Sequence, residues 1–167
     1  MQKLTREEKI VLEVKNNPGI RFRELMKVVG VTNGIMSYYI NKLEKNGSLL
    51  TERRSGVARL FSNDIDLSQI KLIEFLRTPT TKKIILSLLE EDKLSFKQIT
   101  QKIDRSPSTT SFYLKKLVDD KSVKISNSFP KTYSLLHKRE ISNIILLYHP
   151  DIIDSASDNL ADIFTAF

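Results

Sequence analysis

The sequence predicts a mainly α protein with small β-hairpins (an α+β chain), in which one small domain is present twice. The first observation is an internal repeat. Nine positions are identical when residues 8–60 are placed on residues 82–134 without a gap, and conservative apolar pairs occupy many other positions. The second observation is that both copies have the same order of predicted elements. The two copies are 74 residues apart. Solenoid repeats are only about 20–50 residues long, so each copy is expected to be a whole domain.

The first copy contains signals that begin and end helices. Thr5 and Glu8 have the spacing of a capping box, which begins a helix. Gly30 can adopt the left-handed conformation that ends one, and Thr32 is a suitable N-cap for the next. The predicted elements are helices over 5–16, 23–29 and 32–46, followed by hairpin strands over 49–53 and 57–61.

The second copy repeats this order. Ser106 is predicted to be an N-cap, and Pro107 suits the first helical position because the N–H that it lacks would have no partner there. Thr80 or Thr81 is expected to cap the first helix of this copy. The predicted elements are helices over 81–91, 96–103 and 107–120 and strands over 123–126 and 132–135. Helix, short helix, turn, helix and hairpin is the order of a winged helix-turn-helix domain.

The chain is predicted to contain four segments. They are a winged helix-turn-helix domain over 1–62, a linker with a short helix over 63–80, a second such domain over 81–137 and a C-terminal helical segment over 138–167. The last segment is apolar and acidic and lies outside both copies. It could pack on its own domain or pair with a second chain. We expect a homodimer formed through these C-terminal helices.

The positive charge belongs to the two copies. The net charge is +7, with +4 over 1–67, +6 over 68–137 and −3 over 138–167. A basic surface attracts polyanions, so a role in binding nucleic acid would reside in the copies. Surplus lysine that only maintains solubility is the alternative.

The sequence lacks the usual signals of several other classes of function. There is no cysteine and there are only two histidines, and the sequence predicts no metal site and no cofactor. No nucleophile–base set or glycine-rich phosphate loop appears, so we predict that the protein is not an enzyme. The first residues lack the apolar core of a signal peptide, and no stretch is long enough to span a bilayer. These features predict a cytoplasmic, nucleoid-associated protein without a membrane partner.

The third helix of each copy is amphipathic. Met36, Ile40 and Leu43 recur at helical spacing and predict a buried stripe. The matching stripe of the second copy is Thr110, Leu114 and Leu117. The opposite face is polar in both copies, which predicts a face that is accessible to other molecules.

Residues on and around this polar face are candidates for DNA contact. Hydroxyls and Asn can bond to base edges in a major groove, and Lys can contact phosphate. An ordinary solvent-facing surface is the alternative. The candidates in the first copy are Thr32, Asn33, Gly34, Ser37, Tyr38, Asn41 and Lys42. Those in the second copy are Ser106, Ser108, Thr109, Ser111, Phe112, Lys115 and Lys116.

The two hairpins, or wings, add further candidates. Arg53, Arg54 and Arg59 cluster on the first wing, where they could enter a minor groove or hold phosphates. The second wing is less basic, and its candidates are Lys124 and Lys131. Phe129 lies at the tip of this wing. We expect it to pack against a neighbouring element, with a wedge into DNA as the alternative.

Residues 17–25, 33–44 and 106–117 resemble archaeal winged-helix regulators of the MarR/ArsR-like superfamily, including members that carry two such domains. The resemblance covers about 8–136. It implies a winged helix-turn-helix fold and double-stranded DNA as the partner. Tyr39 and Tyr113 stand where the family pattern usually has histidine. The cysteine motifs of the metal-sensing members are absent, so metal sensing is not implied.

We therefore predict a double-stranded DNA-binding transcriptional regulator that uses two recognition helices and basic wings. One alternative is a tandem winged-helix adaptor for protein interactions in chromosome or polymerase-associated complexes. Such adaptors tend to lack positive charge on the third helix, whereas this chain has lysines there. A non-specific DNA-bending chromatin protein is the other alternative. The operator, the regulated genes and any small-molecule effector do not follow from the sequence.

Overall fold

The computed structural model describes residues 4–54 and 56–149 and divides the chain into two compact units between Ile73 and Glu74. The fold is mainly helical with two small antiparallel sheets, which confirms the predicted fold class. No helix within the described part of the chain is long and apolar enough to cross a membrane. The predicted C-terminal segment lies outside the described residues from residue 150 onwards.

The first unit contains three helices and a three-stranded sheet. In chain order its elements are α1 (Arg6–Asn16), β1 (Ile20–Arg21), α2 (Phe22–Val29), α3 (Asn33–Lys45), β2 (Leu49–Arg54) and β3 (Val57–Ser62). A short 3-10 helix, Leu67–Gln69, follows these elements, and the next helix, α4 (Ile70–Leu76), contains the division between the two units. Strand β3 lies between β1 and β2 and is antiparallel to both.

The second unit repeats this order and adds a helix. Its elements are α5 (Pro79–Glu90), β4 (Leu94–Ser95), α6 (Phe96–Ile103), α7 (Pro107–Asp119), β5 (Val123–Ile125), β6 (Thr132–Leu135) and α8 (Lys138–Tyr148). Strand β6 is central and is antiparallel to β4 and β5. The helix predicted after the second wing is therefore present as α8.

The predicted helix caps are confirmed at several ends. The Oγ1 of Thr5 accepts a hydrogen bond from the Glu8 N–H, and the Glu8 carboxylate accepts one from the Thr5 N–H. The bonds that the carboxylate accepts from the Thr5 N–H and from the Thr5 hydroxyl favour its charged form and lower the pKa of Glu8. At α7 the Ser106 hydroxyl accepts from the Thr109 N–H, and Gly30 ends α2 in the left-handed conformation.

The predicted start of α5 is wrong by two residues. The helix begins at Pro79, with Thr78 as its N-cap, because proline is favourable in the first turn. Thr80 and Thr81 are buried inside the helix and do not cap it. The Thr81 hydroxyl instead donates to the carbonyl oxygen of Phe75 at 2.5 Å.

The sequence did not predict the third strand of either sheet. These strands, β1 and β4, are only two residues long, and each is fixed by pairing with a distant strand. Ile20 pairs with Leu60, and Leu94 pairs with Tyr133.

The pairing of the hairpin strands shows that the repeat is not free of gaps along its whole length. Leu49 pairs with Ser62, and its counterpart Val123, 74 residues later, pairs with Leu135, which lies 73 residues after Ser62. The hairpin of the second unit is therefore one residue shorter. The gap-free match holds into β5 and is out of register by one residue on the returning strand β6.

Gly19 allows the turn after α1 to pack closely in the first unit. Its φ is +75°, a conformation that L side chains rarely adopt. A Cβ at this position would lie 3.1 Å from Cγ2 of Ile73 and 3.4 Å from the ring of Phe61. The Gly19 N–H also donates to the carbonyl oxygen of Leu60 at 2.8 Å, which connects this turn to β3.

Candidate nucleic-acid interface

Helix α3 is fixed to the core of the first unit by one apolar stripe. Met36, Ile40 and Leu43 are all buried, as the sequence predicts, and they belong to one cluster with residues of α1, α2 and the sheet. Because this stripe sets the rotation of the helix, the opposite side faces outward. Tyr38 is 62% exposed there, and Asn41 is exposed as well.

The first turns of α3 present polar groups on the outer side. Thr32 is the N-cap, but its side chain makes no capping hydrogen bond. The Ser37 hydroxyl donates to Oδ1 of Asn33 at 3.2 Å, so these two predicted site residues form a local pair. Gly34 has open space around its Cα, which leaves room for another molecule to approach.

Lys42, one of the two lysines of α3, is paired with an acid of α1. Nζ of Lys42 lies 2.6 Å from Oε1 of Glu7, and the hydrogen bond and the charge of Glu7 raise the pKa of Lys42. Lys42 therefore remains protonated at neutral pH. Contact with a phosphate would have to compete with Glu7. The sequence did not predict this ion pair, because no short-range pattern connects Glu7 with Lys42.

Helix α7 begins with a cluster of hydroxyl groups. The Ser106 hydroxyl lies 3.1 Å from the Ser108 hydroxyl and donates to Oγ1 of Thr109 at 2.9 Å. Ser106, Ser108 and Ser111 are exposed, and Thr109 is partly exposed. The buried stripe beneath them is Thr110, Leu114 and Leu117, as predicted.

The middle of α7 combines an aromatic ring with cations. Phe112 is 56% exposed, and Nζ of Lys116 lies 4.4 Å from the centre of its ring, within the range of a cation–π contact. Tyr113 packs edge-on against Phe112. Lys115 is exposed and forms an ion pair with Asp119 at 2.7 Å.

The first wing carries two exposed arginines near its tip, and both have acidic partners. Arg53 lies 3.7 Å from Glu44, and Arg54 lies 3.4 Å from Glu52. Exposed ion pairs of this kind contribute little to stability, so these side chains can exchange partners at small cost. Arg53 and Arg54 therefore remain candidates for phosphate contact.

Arg59 is buried, and the prediction that it lies with Arg53 and Arg54 on the outer surface of the wing is wrong. It is only 6% exposed, and its Nη1 donates to the carbonyl oxygen of Gly19 at 3.0 Å. Arg59 lies on the central strand β3, directly opposite Arg21 of β1. A buried guanidinium must be hydrogen-bonded, and this bond gives Arg59 a structural role.

The second wing presents lysines and an aromatic ring. Lys124 and Lys131 are exposed, as a phosphate-contacting role requires. Phe129 is 94% exposed at the tip. The expectation that Phe129 packs against a neighbouring element is therefore wrong.

A shallow apolar groove of about 250 Å³ lies beside α7 in the second unit. It is lined by Phe96, Ser111, Leu114, Lys115, Val118, Ile125 and Tyr133. Two polar members of the α7 face, Ser111 and Lys115, form part of this lining. The groove thus places apolar surface directly beside the candidate interface.

The family of the chain follows from these features and from a match in sequence. The model of the winged helix-turn-helix DNA-binding family matches residues 4–47 and again residues 77–121. These two matches contain α3 and α7 and together cover more than half of the chain. The chain belongs to the winged helix-turn-helix DNA-binding family.

Comparisons with individual proteins add little to this family assignment. No curated protein matches the sequence at a significant level. A MarR family transcriptional regulator from Silicibacter pomeroyi is similar in structure, with 18% identity, a TM-score of 0.38, and coverage of 81% of this chain and 86% of that chain. A mutant of ZitR from Lactococcus lactis has 18% identity, a TM-score of 0.39, and coverage of 81% and 90%. At these scores the family assignment rests on the family model.

Proposed function

We propose that the protein is a transcriptional regulator that binds double-stranded DNA through two recognition helices, α3 and α7, each assisted by a basic wing. The observation that carries this proposal is that both helices have one buried apolar side and one exposed polar side. An apolar stripe is buried, while the polar side faces outward with Tyr38 and Asn41 on α3 and Phe112 and Lys115 on α7. Burial of all four side chains would have contradicted it.

The polar side of α3 has the chemistry of base recognition. A major groove admits a helix, and an Asn side chain can bond to adenine through both its oxygen and its nitrogen. Asn41 is exposed and lies one helical turn after Ser37, so both can face the same groove. Gly34 lies one turn earlier, where no side chain keeps the backbone away from DNA.

The cations supply attraction that does not depend on sequence. Lys42, Arg53 and Arg54 in the first unit are exposed. The corresponding cations of the second unit are Lys115, Lys116, Lys124 and Lys131. Contacts between such side chains and phosphates release counterions, so the affinity should fall steeply as salt increases.

An adaptor that binds protein through the same helices is the competing candidate. The exposed rings of Tyr38 and Phe112 favour it, because aromatic residues are enriched in protein interfaces. The lysines around both rings favour DNA instead. Lys42 follows Tyr38 by one turn, and Lys116 lies over the Phe112 ring.

Selection of bound fragments from random DNA, followed by a salt titration, tests the proposal. A regulator should enrich a defined sequence, and the logarithm of its affinity should fall linearly with the logarithm of the salt concentration. Enrichment without a defined sequence would favour a non-specific chromatin protein. Absence of salt-dependent binding would contradict a DNA-binding function and favour the adaptor.

A further inference from the structure

The tip of the second wing presents one aromatic side chain to solvent. Phe129 is 94% exposed, more than any other large hydrophobic residue among those that the structure describes. The turn that carries it joins β5, which ends at Ile125, to β6, which begins at Thr132. A ring in this position contributes almost nothing to the core of its own domain.

Hydrogen bonds at the base of the turn hold this tip in shape. The Ser126 N–H donates to the Thr132 carbonyl oxygen at 2.8 Å, and the Thr132 N–H donates to the Ser126 Oγ at 2.9 Å. The Ser126 hydroxyl also donates to the Ser128 carbonyl oxygen at 3.3 Å. Pro130 follows Phe129 and has a fixed φ. The ring is thus carried by a defined turn at the end of the wing.

The residues before and after Phe129 in the sequence carry only positive charge. The sequence has no Asp or Glu between Lys121 and Lys138. Lys124 and Lys131, on either side of the tip, are both exposed. The first wing differs, because its corresponding stretch contains Glu52, Arg53 and Arg54 and has no aromatic residue at the tip.

We propose that Phe129 is a wedge that inserts between neighbouring base pairs from the minor groove, while Lys124 and Lys131 hold the flanking phosphates. This inference rests on the proposed DNA-binding function. Apolar side chains that enter a minor groove unstack base steps and bend the duplex. DNA offers phosphates to the lysines and apolar base faces to the ring, which matches the chemistry of the wing. The two wings would then differ in role, since the first has no aromatic side chain at its tip for this task.

The test compares DNA bending and base stacking with Phe129→Ala, Phe129→Leu and the wild-type chain. The duplex carries the selected site. Fluorophores at its two ends report bending by energy transfer, and 2-aminopurine, placed at successive base steps, reports the loss of stacking. Leu67→Ala is the matched control, because Leu67 is also highly exposed and lies outside the wings. The folding of each variant is checked by circular dichroism, and no change is expected from an exposed side chain.

If Phe129 inserts as a wedge, the wild-type protein and Leu67→Ala should both bend the duplex and raise the 2-aminopurine fluorescence at one base step. Phe129→Ala should lose both signals and bind about tenfold more weakly, with an unchanged salt slope because no charge is removed. Phe129→Leu should retain part of the bend, since leucine is also a wedge residue.

Three results would overturn the inference. Equal bending and fluorescence with Phe129→Ala and the wild type would show that the ring does not insert, while the DNA-binding proposal would stand. A change in self-association with unchanged DNA signals would assign Phe129 to a protein contact. Failure of the wild-type protein to bind any duplex would remove the DNA-binding proposal together with the wedge.

Discussion

Nζ of Lys42 on the candidate recognition helix α3 lies 2.6 Å from Oε1 of Glu7 on α1. The two side chains are 48% and 34% exposed, so the pair lies at the surface and can open without loss of the core. A phosphate that approached Lys42 would replace Glu7 as its partner and would also meet the negative charge of that carboxylate. If α3 binds DNA as proposed, Glu7 would weaken that binding.

Replacement of Glu7 by glutamine should strengthen DNA binding. The change removes a competing carboxylate and leaves Lys42 available, and we expect about a two- to fivefold increase in affinity at low salt, the range typical of an exposed ion pair. Fluorescence anisotropy with labelled duplex measures it. Glu140→Gln on α8 is the control, because it makes the same charge change at an exposed position outside the interface. An equal gain for both variants would mean that only net charge matters.

Replacement of Asn41 by alanine should reduce sequence discrimination. We expect a loss of roughly 1–3 kcal/mol on the selected site and little change on random DNA, because a base contact is lost while the phosphate contacts remain. Isothermal titration on both duplexes measures the difference. Asn143→Ala on α8 provides an exposed asparagine as the control. A loss of the same size on both duplexes would assign Asn41 to the DNA backbone.

Replacement of Arg54 by alanine should weaken binding to all sequences alike. One lost phosphate contact should reduce the slope of log affinity against log salt by about one unit. Affinities measured at several salt concentrations give this slope for the variant, for the wild type and for a control, Arg139→Ala, which removes an exposed arginine of α8. An unchanged slope for Arg54→Ala would exclude Arg54 from the phosphate contacts.

Replacement of Arg59 by methionine should lower stability and leave the salt slope unchanged. The buried guanidinium donates to the Gly19 carbonyl oxygen, and loss of a hydrogen bond from a charged group costs about 1.5–3 kcal/mol. Urea titrations give the free energy of unfolding. If the variant kept its stability and flattened the salt slope, the wing role first expected for Arg59 would be restored.

Much of the fold follows from short-range signals in the sequence. Thr5 with Glu8 and Ser106 with Pro107 locate helix starts because caps act within one turn. The segment around Pro79 was ambiguous, since a proline can follow one helix or begin the next. The buried stripes of α3 and α7 were predicted correctly because helical spacing alone determines which residues share a face.

The errors arise where distant residues decide the outcome. The two-residue strands β1 and β4 have no pattern of their own and exist through their pairing with β3 and β6. The burial of Arg59 depends on the turn at Gly19, 40 residues earlier in the chain. Arginine on a predicted hairpin was expected to be exposed, and only the tertiary structure distinguishes Arg59 from Arg53 and Arg54.

Deletion of residues 151–167 should make the protein monomeric while both units stay folded. The prediction rests on the apolar, acidic composition of this segment and on α8, where Leu146 and Leu147 near the end of the helix are exposed. Light scattering gives the mass of the full-length and truncated chains, and circular dichroism reports their folding. A monomeric full-length chain, or a truncated chain that unfolds, would contradict dimerisation through this segment.

The central claim, that both α3 and α7 contact DNA, is tested most directly by site-specific photo-crosslinking. A photoreactive phenylalanine replaces Tyr38 in one variant and Phe112 in another, and the crosslinked bases are mapped on the selected duplex. Leu67, exposed and outside both helices, carries the same group in a control. Crosslinks to bases from both positions 38 and 112, and none from position 67, are the predicted result. Absence of base crosslinks from either helix would contradict the use of two recognition helices.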